Sequence, residues 1–209
     1  MRLKRMRIWT LMAVACVALS GCATGAPTAS TGAQDRKSEA SKPQQKTVSY
    51  DFGDLALDVP DYWKADTEMS EAGTTLIFRS EDKDAALSIR KDDIPQFMTV
   101  KAQGDDIVPA SDEEIADGYF FTIMDENQEQ TVGEMESVDC GDYSYWRKTY
   151  RGTANINEVG EIKAAQRTAV VLLNDNSSSI QILVYCPEDQ DERLNDVDAL
   201  MESIIDQLS

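Results

Sequence analysis

Histidine is absent from all 209 residues. Its absence excludes Ser-His-Asp and Cys-His nucleophile pairs and every His-liganded metal site. The commonest general base near neutral pH goes with them. Basic side chains are scarce: 20 Lys and Arg stand against 38 Asp and Glu. Residues 48–209 hold 12 of the bases and 36 of the acids, a formal charge of −24. That charge disfavours nucleic acid and anionic lipid headgroups, and it suits solubility, cation association or a basic partner. Acidity this general reads first as a solvated surface. No G-x-S-x-G elbow and no glycine-rich phosphate loop occurs. Carboxylates abound, yet none is singled out by spacing as half of a catalytic pair.

Long apolar runs are lacking as well. The most apolar stretch, Ile8 to Leu19, is twelve residues with only Thr10 polar. At about 1.5 Å per residue it spans roughly 18 Å, short of the ~30 Å bilayer core. Arg2, Lys4, Arg5 and Arg7 precede it with no acid among them. A basic n-region before a short apolar h-region is the pattern of a secretory signal peptide, here residues 1–21. Leu19-Ser20-Gly21-Cys22 follows at once and resembles the bacterial lipobox. The resemblance implies transfer of a diacylglycerol to the Cys22 thiol and cleavage after Gly21. Two acyl chains suffice for stable anchoring, where one binds only marginally. The implied partner is therefore a membrane, reached through the lipid on Cys22 at its extracytoplasmic face.

Residues 22–47 are the expected linker. From Ala23 to Thr47 there is no Val, Ile, Leu, Met or aromatic residue. Such a segment cannot bury enough apolar surface to offset its chain entropy. As a flexible tether, its 25 residues reach about 25–30 Å. Residues 48–209 then suit a single domain with a sizeable core.

Apolar residues alternate over 48–52 and 55–59 around Gly53-Asp54, which predicts a first hairpin ended by Pro60. A second hairpin is expected from 74–80 and 85–91, and 92–110 reads as irregular. Ser111 and Glu114 form a capping box. They open an expected helix over 112–129 with Ile115, Tyr119, Phe120, Ile123 and Met124 on one face. Strands are expected at 143–152, 163–173 and 179–186, with Asn174 to Ser177 as a turn. Leu194, Val197, Met201, Ile204 and Leu208 recur at helical spacing, widened by Leu200 and Ile205. They predict a closing amphipathic helix over 189–209. The fold class is α+β, an antiparallel sheet covered by helices.

Cys140 and Cys186 are the two thiols left to an exported domain. An even pair in an oxidising compartment suggests a disulfide. The alternative is that the strand layout sets the two at opposite ends of the sheet. Among the aromatics, Tyr143 and Tyr145 point to one side of a strand and Trp146 and Tyr150 to the other. One set is expected in the core, leaving the other as a candidate ligand-contacting strip. Asp125 to Glu136 places oxygens at several positions of a calcium loop, but Gln130 stands where the sharp turn needs glycine. It reads as an acidic helix end.

Phe52 to Trp63, with Pro60 and Trp63 at its end, Tyr185 and the 190–208 helix are similar to the PsbP-like superfamily. That group includes bacterial lipoproteins of the LpqN type. The resemblance covers residues 48–208. It implies an αβα sandwich and a non-catalytic binding or assembly role, with an envelope protein or peptide as partner. It supplies no catalytic residues, no metal site and no cofactor. A cation-binding surface protein, and after it a carboxylate-dependent hydrolase, are the alternative functions.

Overall fold

The computed structural model describes residues 46–209. The expected leader over 1–21, Cys22 and all but the last two residues of the expected linker lie outside them. Thr47 already belongs to the first strand.

Strand β1 (Thr47–Phe52) and β2 (Leu55–Pro60) form a separate antiparallel hairpin. Its turn holds Gly53 at φ +64°, a left-handed conformation that glycine adopts without steric cost. The main sheet is built from β3 (Lys64–Ala65), β4 (Thr75–Arg79), β5 (Ala86–Asp93), β8 (Thr131–Val132), β9 (Glu136–Cys140), β10 (Tyr143–Ile156), β11 (Gly160–Leu173) and β12 (Ser178–Pro187). Its order is β3-β4-β5-β12-β11-β10-β8, and β9 also pairs with β10. Every pairing is antiparallel. Asn174, Asp175 and Asn176 connect β11 to β12 with φ of 52°, 52° and 63°. Short polar side chains of this kind tolerate that region of backbone space. A further small hairpin, β6 (Val100–Gln103) with β7 (Asp106–Pro109), pairs only with itself.

The closing helix α2 (Asn195–Leu208) follows a 3-10 stretch over Glu188–Leu194. Leu194, Val197, Leu200, Met201, Ile204 and Ile205 are buried, as their spacing predicts. With Phe52, Leu57 and Val59 of the β1–β2 hairpin they cover one face of the sheet. Phe78, Leu87, Ile89, Ala169, Ile182 and Val184 lie beneath them. Alternation along the strands sends Trp146, Tyr150, Val170 and Leu172 to the opposite face.

That second face has a thinner cover than a helical layer. The helix expected over 112–129 is six residues long, α1 (Asp112–Asp117). Its capping box is present: the Glu114 amide donates to Ser111 Oγ, and the Ser111 amide donates to Glu114 Oε2 at 2.8 Å. Beyond Gly118 the sheet takes over the backbone bonds that a helix would use. Gln166 Nε2 donates to the Phe121 carbonyl at 2.7 Å, and Gln166 Oε1 accepts from the Ile123 amide at 2.9 Å. Gln181 Nε2 donates to the Tyr119 carbonyl at 2.8 Å. Buried amides that satisfy an extended segment outweigh a weak helix propensity after glycine. The second face is thus covered by a short helix and a clamped loop.

Cys140 and Cys186 are free thiols. The pairing registers set Cys140 opposite Tyr143 and Cys186 opposite Ala165, with β10 and β11 between their strands. Tyr145 faces Val171, so the two cysteines lie about eight residues apart along β11, roughly 26 Å at strand rise. A bridge needs Cα atoms within about 7 Å. The disulfide reading is therefore corrected: the layout separates the pair. Alkylating the chain after unfolding without reductant should modify both Cys140 and Cys186, read by peptide mass spectrometry. Protection of both until reductant is added would show a bridge.

Candidate functional site

Pro60 stops β2, and the Trp63 amide donates back to the Pro60 carbonyl at 3.0 Å. This turn drives the Trp63 indole into the core and leaves Tyr62 half-buried beside it. Trp63 Nε1 donates to Asp196 Oδ2 at 2.8 Å, and the Tyr62 hydroxyl donates to the same oxygen. Asp196 lies in the first turn of α2 and is buried. Burial pushes its carboxyl above the usual range, against the pull of the two donors and of Arg193. The Arg193 guanidinium carbon sits 5.4 Å from the ring centre of Tyr62 and 5.4 Å from that of Trp63, a cation–π geometry. Tyr62, Glu192, Arg193, Asn195, Asp196 and Ala199 line a cavity of about 500 Å³ at this corner.

Asp198 stands 200° around the helix from Asp196, on the other flank of Val197. It receives Arg167 Nη1 at 2.7 Å, Arg147 Nη1 at 2.9 Å and the Tyr145 hydroxyl at 3.1 Å. Arg147 also holds Glu136 at 2.7 Å, which ties β9 into the same network. At the far end of α2, Gln207 accepts from the Ala56 amide at 2.9 Å and donates to its carbonyl at 3.0 Å. Residues 62, 63, 196 and 198 therefore form an anchor between helix, hairpin and sheet. Chemically, the corner offers an aromatic wall, a cation and a buried carboxyl whose Oδ2 already takes two donors.

The sequence singles out Pro60 and Trp63, and the structure gives them a partner that the sequence does not mark. Asp196 is 133 residues from Trp63. Its only local signal is an acid beside the apolar stripe at a helix start, where the dipole already explains acids. The structure overturns the exposed aromatic strip. Tyr145 and Tyr150 are buried on opposite faces, Tyr143 packs against the α2 side, and Trp146 packs under α1. The segment from Asp125 does not wrap as a calcium loop. Asp125 Oδ1 caps the Asn127 amide at 2.9 Å, and Thr131–Val132 runs as strand beside Tyr150 and Arg151. Among the described residues, no three His, Cys, Asp or Glu side chains are grouped to hold a metal ion. The Cys186 thiol is pushed up to about 12 by burial and donates to the Gln190 carbonyl at 3.3 Å, so it is not a ready nucleophile.

No protein-family model matches the chain. No curated protein matches it in sequence either. Among solved structures it is similar to cyanobacterial PsbP from Synechocystis sp., at 17% identity over 76% of this chain and 91% of that one, with a TM-score of 0.47. It is similar to the Ran-binding protein Mog1p of Saccharomyces cerevisiae, at 11% identity over 76% and 93%, TM-score 0.42. It is also similar to LpqN, involved in cell envelope biogenesis of Mycobacterium tuberculosis, at 14% identity over 70% and 78%, TM-score 0.37.

The anchor yields a stability test with a defined sign. A raised carboxyl binds its proton more tightly in the folded than in the unfolded chain. Its stabilising contribution is complete below the unfolded value and is lost as pH rises through the folded one. Asp196→Asn keeps an acceptor for Tyr62 and Trp63 and removes the ionisation. Its stability relative to the parent should rise between pH 4 and 7, measured by urea unfolding. Asp196→Ala leaves two donors unpaired and should cost about 2–4 kcal/mol. Equal losses for the two variants at neutral pH would show that the carboxyl is not held as described.

Proposed function

We propose that this chain is a lipoprotein anchored at the extracytoplasmic face of a membrane. In this reading its PsbP-like domain is a non-catalytic binding or envelope-assembly module. The observation that carries the proposal is the lipobox, Leu19-Ser20-Gly21-Cys22, directly after a basic segment and a short apolar one. Lipid on Cys22 and a tether of about 25 Å or more keep a strongly acidic domain near the surface without embedding it. Among the described residues no helix is long and apolar enough to cross a membrane.

Two observations support a binding role over a hydrolytic one. The chain has no histidine. The carboxyl of Asp196, raised by burial, serves Tyr62 and Trp63 as an anchor. Perturbed carboxyls mark functional sites, but structural networks perturb them too. In the structural case Asp196→Asn costs stability or nothing, with no turnover to lose.

Growth with labelled palmitate tests the anchor. The parent chain should take up label and sediment with membranes. Cys22→Ser should take up none, and should be either released or retained with its leader uncut. A Cys22→Ser chain that stays with membranes after its leader is removed would contradict the proposal.

A further inference from the structure

The β6–β7 hairpin presents an apolar side to solvent. Its register pairs Val100 with Pro109 and Ala102 with Ile107, so these four share one side. All four are exposed, Ile107 at 76% and Val100 at 40%. Phe97, in the 3-10 turn Gln96–Met98 that leads into β6, is 77% exposed. On the other side Lys101 pairs with Glu114 of α1 and Val108 opposite it is half-buried, while Gln103 and Asp106 are exposed. Met98 and Ala110, at the base of the hairpin, pack on the core. The large side chains face out and the base is fixed, so this is a presented surface rather than a frayed one.

Water should favour the opposite arrangement. A two-stranded hairpin with its apolar side in solvent is marginal alone and gains by being covered. The rim identifies the cover. Along the sequence around the hairpin, Asp92 to Glu114 carry seven acids and one base, Lys101, with Arg90 and Lys91 just before them, and the whole domain is at −24. Lys101 is already paired with Glu114. An anionic lipid surface or a second copy of this −24 domain would meet that rim with like charge. We propose that the outward side of the β6–β7 hairpin docks a cationic amphipathic segment of a partner protein. Phe97 and Ile107 enter its apolar stripe, and Asp105, in the turn between the two strands, faces its Lys or Arg. The inference rests on the binding-module reading and names the surface and partner chemistry for it.

Site-specific photocrosslinking in intact cells, with the full chain, tests it. A photoreactive side chain replaces Phe97 or Ile107, with Val48 and Met69, apolar and exposed elsewhere, as control positions. Positions 97 and 107 should give protein adducts about tenfold above the controls, a difference of about 1.4 kcal/mol if it reflects affinity. Mass spectrometry should place those adducts in a segment with Lys or Arg around an apolar stripe. Adding Asp105→Lys should cut their yield by about tenfold while leaving the melting temperature unchanged. Adducts with lipid alone, with a second copy, or insensitive to the charge reversal would overturn the proposal. Protein adducts only at 48 or 69 would overturn this surface and leave the binding-module reading in place. Absence of protein adducts at all four positions would overturn both.

Discussion

Everything on one side of this domain depends on where α2 is held. Leu194, just before the helix, and five buried apolar side chains within it, Val197 to Ile205, contribute on the order of 10 kcal/mol through burial. That attraction is non-directional, and a smooth apolar stripe fits the sheet in more than one register. Asp196 and Asp198 remove the ambiguity. They flank Val197, and each meets its own set of donors: Tyr62 and Trp63 on one side, Tyr145, Arg147 and Arg167 on the other. Gln207 fixes the far end against Ala56. Packing supplies the energy and the carboxylates supply the position.

Much of the architecture was legible because it follows local periods. The 3.6-residue recurrence of α2 and the alternation in β1, β2, β4, β5, β10, β11 and β12 arise from faces that are buried in the ordinary way. The features that were not legible depend on distant residues. The loop after Gly118 carries apolar residues at helical spacing, yet Gln166 and Gln181 hold it extended from 43 to 62 residues further along the chain. Cys140 and Cys186 look like a pair until the registers of three strands are known. The β6–β7 hairpin has a turn signal, Gly104-Asp105, and an alternating apolar side. Burial is what makes such a pattern recognisable, and here that side is exposed. The candidate site was half legible: Trp63 stood out, and its carboxylate partner did not.

Residues 48–209 hold 36 of the acids against 12 bases, so the shape of the domain and its charge are carried by the same segment. Inside the domain, charge is spent on structure at the α2 anchor and at the Arg151–Asp191 and Arg79–Asp66 pairs. The acids left over give the surface its sign.

Native-state hydrogen exchange tests the role of the α2 anchor most directly. If α2 is locked to the sheet by both flanks, its amides from Val197 to Ile205 exchange only when the whole domain opens. Their opening free energy then matches that of Ala165 to Leu172 in β11. Exchange of α2 through a separate opening several kcal/mol below that of β11 would show a helix that rests on the sheet without holding it, and would contradict the anchor.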